Sequence, residues 1–275
     1  MPTIKENLAW NTYNWKEDGD EWSKPWGNIE RQWYQLILPK INKIVPTQTI
    51  LEIAPGHGRC TKYLKELCKK LIIVDLNKNC IDYCKKIFSD DKKIEYFTNN
   101  GKDLKMIPSN SIDFIFSWDS FVHIEKKEIE EYAKEFYRVL KNGGYVFIHH
   151  SNLKNCKIKE PTKGWRAKSM DYKIFKKICE KNKLNVIRQE LVNWNTKSTL
   201  TDCFSLFIKG RSNLKYSLIK NNNFMKEAEQ IKNKPIEEIR KNPDYIKQDK
   251  ITKKYLIKKY YKINSKIKEL IEKLI

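Results

Sequence analysis

Long apolar runs and paired cysteines are missing from this sequence. No run of apolar residues approaches the ~20 that a membrane-spanning helix needs, and no basic patch followed by an apolar stretch opens the chain as in a signal peptide. The seven cysteines are an odd number, and no two of them are spaced as C-x-x-C. We therefore expect a cytoplasmic protein whose cysteines pack in the core instead of forming disulfides or binding zinc.

Acidic residues are fewer than basic ones. The sequence has 34 Asp and Glu and 55 Lys and Arg, which gives a formal net charge of +21. Such an excess favours a polyanionic partner, such as nucleic acid or an acidic lipid surface, when the basic residues form one patch. Here the lysines are spread over every surface-like stretch of the sequence. We interpret the charge as a lysine-rich background, which disfavours nucleic acid as a partner and also suits a small anionic substrate.

Between Thr49 and Lys209, short apolar runs alternate with helical patterns. This alternation indicates an α/β fold with a mostly parallel, seven-stranded sheet covered by helices on both faces. The predicted strands are Thr49–Ile53, Leu71–Asp75, Ile94–Phe97, Ile112–Ser117, Tyr145–His150, Asn185–Val192 and Cys203–Lys209. The predicted helices are Cys60–Lys69, Asn77–Phe88, Glu125–Leu140 and Asp171–Lys181. Ligands of such sheets bind beyond the carboxyl ends of the strands, where the strand order reverses.

The regions on either side of this alternation differ from it in composition. Residues 1–46 hold five of the eight tryptophans, which predicts an aromatic N-terminal lid before a core of residues 47–210. The lid is expected to start as loops and to end in a helix that is interrupted near Pro39. Residues 211–275 contain no glycine and are basic, which predicts a helical extension.

The extension carries an apolar stripe with heptad spacing. Its members are Leu256, Tyr260, Ile263, Ile267, Leu270 and Leu274. Such a stripe suits either a helix packed on its own domain or a helix over 251–275 that joins two copies of the chain.

Glycine is scarce, and five of the nine glycines lie in turns of the predicted sheet. In the segment Ile50–Arg59 a strand ends in an acidic residue, and small residues follow at alternate positions. Gly56 and Gly58 allow a tight turn and the close approach of a ligand. Asp75, at the end of the next strand, can accept hydrogen bonds from both hydroxyls of a ribose. The G-x-G-x-x-G pattern of dinucleotide dehydrogenases is absent, since no third glycine follows.

This order of residues resembles the class I S-adenosylmethionine-dependent methyltransferases, whose first motif is an acidic residue followed by spaced glycines. Later landmarks follow in the order of that family, namely Asp75, Asn100–Gly101, Ile112–Ser117 and Leu140–Gly144. The resemblance implies S-adenosylmethionine as the cofactor and S-adenosylhomocysteine as its product. The cofactor site that it implies consists of Glu52, Ala54, Gly56, Gly58, Asp75, Leu76, Asn100, Gly101 and Ser117.

All four histidines fall where the carboxyl edge of the sheet is predicted. Methyl transfer requires that the acceptor be held in line with the methyl group and lose its proton, and the histidine pKa of about 6.5 suits that task. We predict His123 as the base, because it follows strand four, with Asp119 orienting it or binding an acceptor hydroxyl. His149 and His150 are expected across the cleft, and His57 follows strand one.

Two alternatives to this histidine site stay open. For any single histidine, a structural, hydrogen-bonded role explains the residue as well as a catalytic role does. Asp119, His149 and His150 could ligate a divalent metal ion, but adjacent residues of a strand point to opposite faces, which disfavours that set.

A narrower resemblance links the chain to methyltransferases of bacterial surface-polysaccharide gene clusters. The segments that carry it are Glu21–Gly27, Pro55–Arg59, Asp119–His123, His149–Asn152 and Trp165–Ala167. It implies O-methylation of a sugar, of a nucleotide-activated precursor, or of a phosphate or phosphoramidate substituent. The charge favours an RNA methyltransferase as an alternative, although no N-P-P-Y-type motif follows strand four. A non-catalytic, cofactor-binding assembly subunit is the third hypothesis.

Overall fold

The computed structural model describes residues 3–154, 156, 166–210 and 213–241. The core is one mostly parallel sheet, with its strands in the order β3-β2-β1-β4-β5-β7-β6-β8. The strands are β1 (Thr47–Ile53), β2 (Cys68–Asp75), β3 (Ile94–Thr98), β4 (Ile112–Phe121), β5 (Leu140–Ser151), β6 (Leu184–Val192), β7 (Asp202–Lys209) and β8 (Ser217–Asn221). The strand order reverses between β1 and β4, so the expected ligand-binding edge lies there. The predicted α/β fold with a mostly parallel sheet is confirmed.

An eighth strand is the main departure from the predicted sheet. β8 pairs in parallel with β6, whereas β7 runs antiparallel to both β5 and β6. This strand lies in the extension that was expected to be helical throughout. Leu218 and Ile219 favour an extended backbone in this segment. Pairing with β8 satisfies backbone groups of β6 that would otherwise be exposed at the edge of the sheet.

Helices cover both faces of the sheet. They are α1 (Ile4–Asn7), α2 (Ile29–Gln32), α3 (Leu38–Ile41), α4 (Thr61–Leu64), α5 (Lys78–Ile87), α6 (Lys126–Val139), α7 (Tyr172–Lys181), α8 (Phe224–Asn233) and α9 (Ile236–Arg240). Tight 3₁₀ turns occupy Leu8–Asn11, Lys16–Trp26 and Lys65–Leu67. The helix α6 illustrates why these segments are helical, because its buried residues recur every three or four positions. They are Ile129, Tyr132, Ala133, Phe136 and Val139.

Two of the predicted helical boundaries are wrong. The predicted helix Cys60–Lys69 ends by Leu67, because Cys68 already pairs with β1 as the first residue of β2. Before Pro39 the chain widens into a π-helical turn, Trp33–Ile37, and the helical path then continues through the proline. The wide turn accommodates a residue that lacks a backbone donor.

Two apolar clusters form the core, one on each face of the sheet. The first contains side chains of α2, α3, α5 and α8, and the second contains those of α6 and α7. All seven cysteines lie within the described residues as free thiols, and six of them are buried. In the described part of the chain, no helix is both long enough and apolar enough to cross a membrane.

The described part of the extension packs against both the lid and the core. Phe224 of α8 is buried, and its ring centroid lies 5.6–5.7 Å from those of Trp26, Trp194 and Phe204. The predicted heptad stripe from Leu256 to Leu274 lies outside the described residues.

We expect Phe224→Ala to lower the free energy of unfolding by about 3–5 kcal/mol, as is usual when a large buried ring is removed. Thermal or urea denaturation followed by circular dichroism measures this loss. Leu214→Ala is the matched control, because Leu214 is 60% exposed and its truncation leaves no cavity. Equal melting points for Phe224→Ala and the wild type would show that α8 does not belong to the cooperative core.

Candidate active site

A cavity of about 800 Å³ lies at the carboxyl ends of β1, β2 and β4, beside the reversal in strand order. The turn after β1, the end of β2 and the loop after β4 form one part of its wall. Aromatic residues of the lid form another part, and a third comes from the loop between β6 and β7. The cavity therefore joins the predicted cofactor motif to the predicted acceptor loop.

The turn after β1 passes through the left-handed region of backbone space. Ala54, Gly56 and Gly58 have φ angles of +57°, +56° and +82°. A Cβ atom on Gly56 would lie 2.7 Å from the indole of Trp15, and one on Gly58 would lie 2.7 Å from the ring of Phe88. These two positions therefore require glycine for space as well as for backbone conformation.

Glu52 fixes the start of this turn from inside the sheet. Its carboxyl is buried and accepts a 2.6 Å hydrogen bond from the Thr61 hydroxyl. Burial raises its pKa to about 8, and the Thr61 hydrogen bond opposes that rise. At neutral pH Glu52 is therefore largely protonated, which removes the cost of a buried charge.

Asp75 ends β2 at the cavity wall. Its carboxylate accepts hydrogen bonds from the backbone amides of Asn77, at 2.8 Å, and Gly56, at 3.3 Å. Burial raises its pKa to about 6, and those amide contacts oppose the rise. Leu76 and Gly101, two further members of the predicted cofactor set, also line the cavity.

Three residues of the predicted cofactor set, Gly58, Asn100 and Ser117, are not part of the cavity wall. Ser117 is fully buried and donates a 2.8 Å hydrogen bond to the carbonyl of Ile53. Asn100 is exposed, and its side chain holds the turn that includes Asp103. Both residues therefore shape the wall, and Ser120 takes the place at the cavity that was predicted for Ser117.

The end of β4 is distorted at Asp119. The register between β4 and β5 shifts after Ser117, and Asp119 adopts a φ of +57°. Its carboxylate lies 3.4 Å from the guanidinium of Arg59, which also contacts Ser23. Asp119, Arg59 and His123 all line the cavity.

The two histidines of β5 lie in the interior of the protein. His149 contacts the backbone amide of Asp119 at 3.2 Å and the carboxylate of Asp202 at 2.8 Å. His150 points to the opposite face, where it stacks on Phe175 and contacts Ser205. Burial lowers the pKa of His150 to about 3, so the ring is neutral. Neither residue lines the cavity.

This geometry does not assemble the alternative metal set of Asp119, His149 and His150. β5 continues through Ser151, so the two imidazoles stay on opposite faces of the strand. No cluster of three His, Cys, Asp or Glu side chains in the described ranges has metal-binding geometry.

His57 reaches the cavity wall as part of an aromatic stack. Its ring lies between those of Trp15 and Tyr83, at centroid distances of 4.6 and 3.8 Å. Burial lowers the pKa of His57, which favours the neutral ring.

The lid contributes a group of four rings, the N-terminal ring cluster, defined as Trp10, Tyr13, Trp15 and Trp22. Neighbouring rings in it lie 5.0–5.9 Å apart, and Trp10 lies 5.6 Å from the ring of His123. All four rings line the cavity, together with Glu21.

Sequence reasoning missed several residues of the cavity wall. They include Asn77, Ser120, Tyr132, Arg166, Trp194 and Thr201. Most come from loops whose positions depend on long-range packing. Ser120 and Arg166 lie inside two segments that carry the narrower resemblance, Asp119–His123 and Trp165–Ala167.

Comparison with known proteins finds a methyltransferase domain in this chain. Residues 51–148 match the family described as methyltransferase domain. Phosphoethanolamine N-methyltransferase 3 of Arabidopsis thaliana is 26% identical over 170 residues, which cover 60% of this chain and 33% of that protein. Phosphoethanolamine N-methyltransferase 1 of the same plant is 30% identical over 118 residues, which cover 41% of this chain and 24% of that protein. The chain thus matches about a third or less of each relative.

A solved structure shares the fold. It is an S-adenosylmethionine-dependent methyltransferase from Clostridium acetobutylicum, with a TM-score of 0.52 and 16% identity, covering 66% of this chain and 92% of that one. The match over residues 51–148 and the two plant relatives support the predicted S-adenosylmethionine-dependent methyltransferase domain, and the solved structure shares its fold.

We expect binding of S-adenosylhomocysteine to weaken as the pH falls through about 6, because the Asp75 carboxylate then becomes protonated and loses acceptor strength. Asp75→Asn should weaken binding by at least ~1 kcal/mol and flatten this pH dependence. Calorimetry across pH 5–8 measures both effects.

Asp82→Asn is the matched control for this measurement, because Asp82 is an exposed carboxylate of α5 paired with Lys78. An Asp75→Asn variant with wild-type affinity would rule out contact between Asp75 and the ribose.

Proposed function

We propose that the chain transfers the methyl group of S-adenosylmethionine to a small acceptor enclosed in the cavity and releases S-adenosylhomocysteine. One observation carries this proposal: the N-terminal ring cluster lines the same cavity as the turn after β1. A pocket walled by indole rings suits a small molecule, whereas RNA binding draws on an accessible basic surface that contacts phosphates. RNA is therefore the less favoured acceptor.

The cofactor would lie along the ends of β1 and β2. Gly56 and Gly58 leave room for its methionine end beside the turn. The carboxylate of Asp75 would accept hydrogen bonds from the ribose hydroxyls. Leu76 and Gly101 would contact the adenine. This assignment rests on the position of Gly56, Asp75, Leu76 and Gly101 in the cavity wall and of Gly58 in the same left-handed turn.

His123 is the proposed general base. It lies on the loop after β4, within the cavity that also contains the turn after β1. As the bond from the acceptor to the methyl carbon forms and the sulfonium C–S bond breaks, the acceptor proton would pass to the imidazole. Asp119 would contact the acceptor or hold Arg59 in place, since its carboxylate pairs with that guanidinium.

A hydroxyl of a surface-polysaccharide precursor is the first candidate acceptor. The guanidinium groups of Arg59 and Arg166 stand in the cavity wall, and guanidinium suits phosphate or phosphoramidate groups. Both groups are already paired with carboxylates, so an anionic acceptor would share or replace those partners.

An amine is the second candidate, and the ring cluster favours it. Aromatic faces attract ammonium groups, and Glu21, beside the cluster, has a buried Oε2 atom with no hydrogen-bond partner among the described residues. The matched relatives are named as phosphoethanolamine N-methyltransferases. An acceptor that carries both a phosphate and an amine would use both ends of the cavity.

A direct assay distinguishes these acceptors. The full chain is incubated with methyl-labelled S-adenosylmethionine and one of four acceptors: phosphoethanolamine, a nucleotide-sugar, a sugar phosphate or transfer RNA. Labelled phosphoethanolamine supports the amine, and labelled sugar supports the hydroxyl. Labelling of RNA alone, with a steep loss as salt rises, would overturn the small-acceptor proposal.

We expect His123→Ala to lower turnover of the accepted substrate by about 10²–10⁴-fold, the usual cost of losing a general base. Affinity for S-adenosylhomocysteine should stay within twofold of the wild type, because the cofactor residues are unchanged. Timed assays with labelled S-adenosylmethionine measure turnover, and calorimetry measures the affinity for S-adenosylhomocysteine. Normal turnover in His123→Ala would exclude His123 as the base.

A further inference from the structure

A continuous chain of polar contacts links two sides of the cavity wall through the protein interior. Its members, in order, are Arg59, Asp119, His149, Asp202 and Arg166, and the successive contacts measure 3.4, 3.2, 2.8 and 2.5 Å. Arg59, Asp119 and Arg166 line the cavity. His149 and Asp202 are fully buried behind it.

The contacts of His149 fix the position of its proton. Nδ1 faces the backbone N–H of Asp119, which can only donate, so Nδ1 must be the acceptor. The proton therefore sits on Nε2, which donates to Oδ2 of Asp202. A neutral imidazole in this one tautomer satisfies both neighbours at once.

The same oxygen of Asp202 also accepts from Arg166. The Arg166 guanidinium is 2.5 Å from Oδ2, and it lies near the face of the Trp194 indole. His149 packs against the rings of Trp118, Trp194 and Phe204. The imidazole is thus held in an aromatic environment, and its contact with Oδ2 of Asp202 is valuable because the other oxygen of that buried carboxylate has no hydrogen-bond partner among the described residues.

Asp119 is the one residue of this chain of contacts that has a left-handed backbone. Its left-handed backbone lies at the bulge of β4, outside the regular pairing with β5. A left-handed conformation at a residue with a Cβ atom persists only where the surroundings impose it. The imidazole of His149 supplies the acceptor that this amide would otherwise find in the sheet.

We propose that His149 is a positioning residue, which holds Asp119 and, through Asp202, Arg166 in the cavity wall without touching the acceptor. This inference rests on the proposed function, in which methyl transfer takes place at the end of β4. Its first test nevertheless needs no acceptor.

The first test is nuclear magnetic resonance of the full chain labelled with ¹⁵N-histidine. The chain has four histidines, so the spectrum of His149→Gln assigns the signal of His149. We expect a neutral ring with its proton on Nε2 at neutral pH. A ring protonated on Nδ1, alone or together with Nε2, would overturn the proposal.

The second test separates the two contacts of the ring. In His149→Asn the amide oxygen lies near the position of Nδ1 and can still accept from Asp119. In His149→Gln the amide reaches toward Asp202 instead. We expect acceptor kcat/KM to fall by about 10–100-fold in His149→Gln, the range typical of residues that orient a site, and by less in His149→Asn.

His150→Gln is the matched control, because His150 is the adjacent residue, equally buried, and its contacts lead to Ser205 and Phe175 away from the cavity. It should lower the melting temperature but leave kcat and acceptor KM unchanged. Affinity for S-adenosylhomocysteine should be normal in all three variants. Equal losses of activity in His149→Gln and His150→Gln, in step with melting temperature, would reduce His149 to a structural residue.

Phosphoethanolamine and the nucleotide-sugar of the acceptor assay serve as substrates. If the wild type methylates neither, the proposed acceptors are rejected, and the tautomer of His149 alone decides the present inference.

Discussion

Thr61 donates a hydrogen bond to the buried carboxyl of Glu52, and this contact ties the first turn of α4 to β1. Between these two residues the backbone passes through left-handed positions at Ala54 and Gly56. Gly56 then donates its amide to Asp75 at the end of β2. Because each contact joins two elements at one edge of the sheet, the cofactor side of the cavity is formed by backbone fixed in place. The lid, the β4 loop and the aromatic loops are arranged around it.

Aromatic packing connects the flanking segments to this edge. Trp194, in the loop after β6, lies 4.8 Å from Trp26 of the lid and 5.6 Å from Phe224 of the extension, and it also contacts Trp118 at the end of β4. Trp118 and Trp194 both line the cavity. Large aromatic rings bury a large apolar area, while only a few side-chain torsions have to be fixed. The acceptor side therefore depends on contacts among three distant parts of the chain.

This division explains what sequence reasoning could and could not reach. The strands and the turn at Gly56 and Gly58 follow from local periodicity and backbone sterics, and they were predicted. Whether the side chains of His149 and His150 point to the same face or to opposite faces depends on where β5 ends. The strand continues through Ser151, so they point to opposite faces. β8 reaches its place through pairing with β6, a strand about 30 residues away in sequence, which no local pattern encodes.

The formal charge of +21 is a sum over the whole sequence and does not describe the charge balance of the cavity. Within the wall, Arg59 pairs with Asp119 and Arg166 pairs with Asp202, so each guanidinium already has a carboxylate partner. Surface lysines attract anionic acceptors over about 8–10 Å at physiological salt, which affects the rate of encounter. Inside, an acceptor phosphate must compete with a carboxylate whose removal from its partner is costly. If the acceptor is anionic, as proposed, salt should change how fast it arrives, while the ion pairs of the wall would affect which acceptor is held.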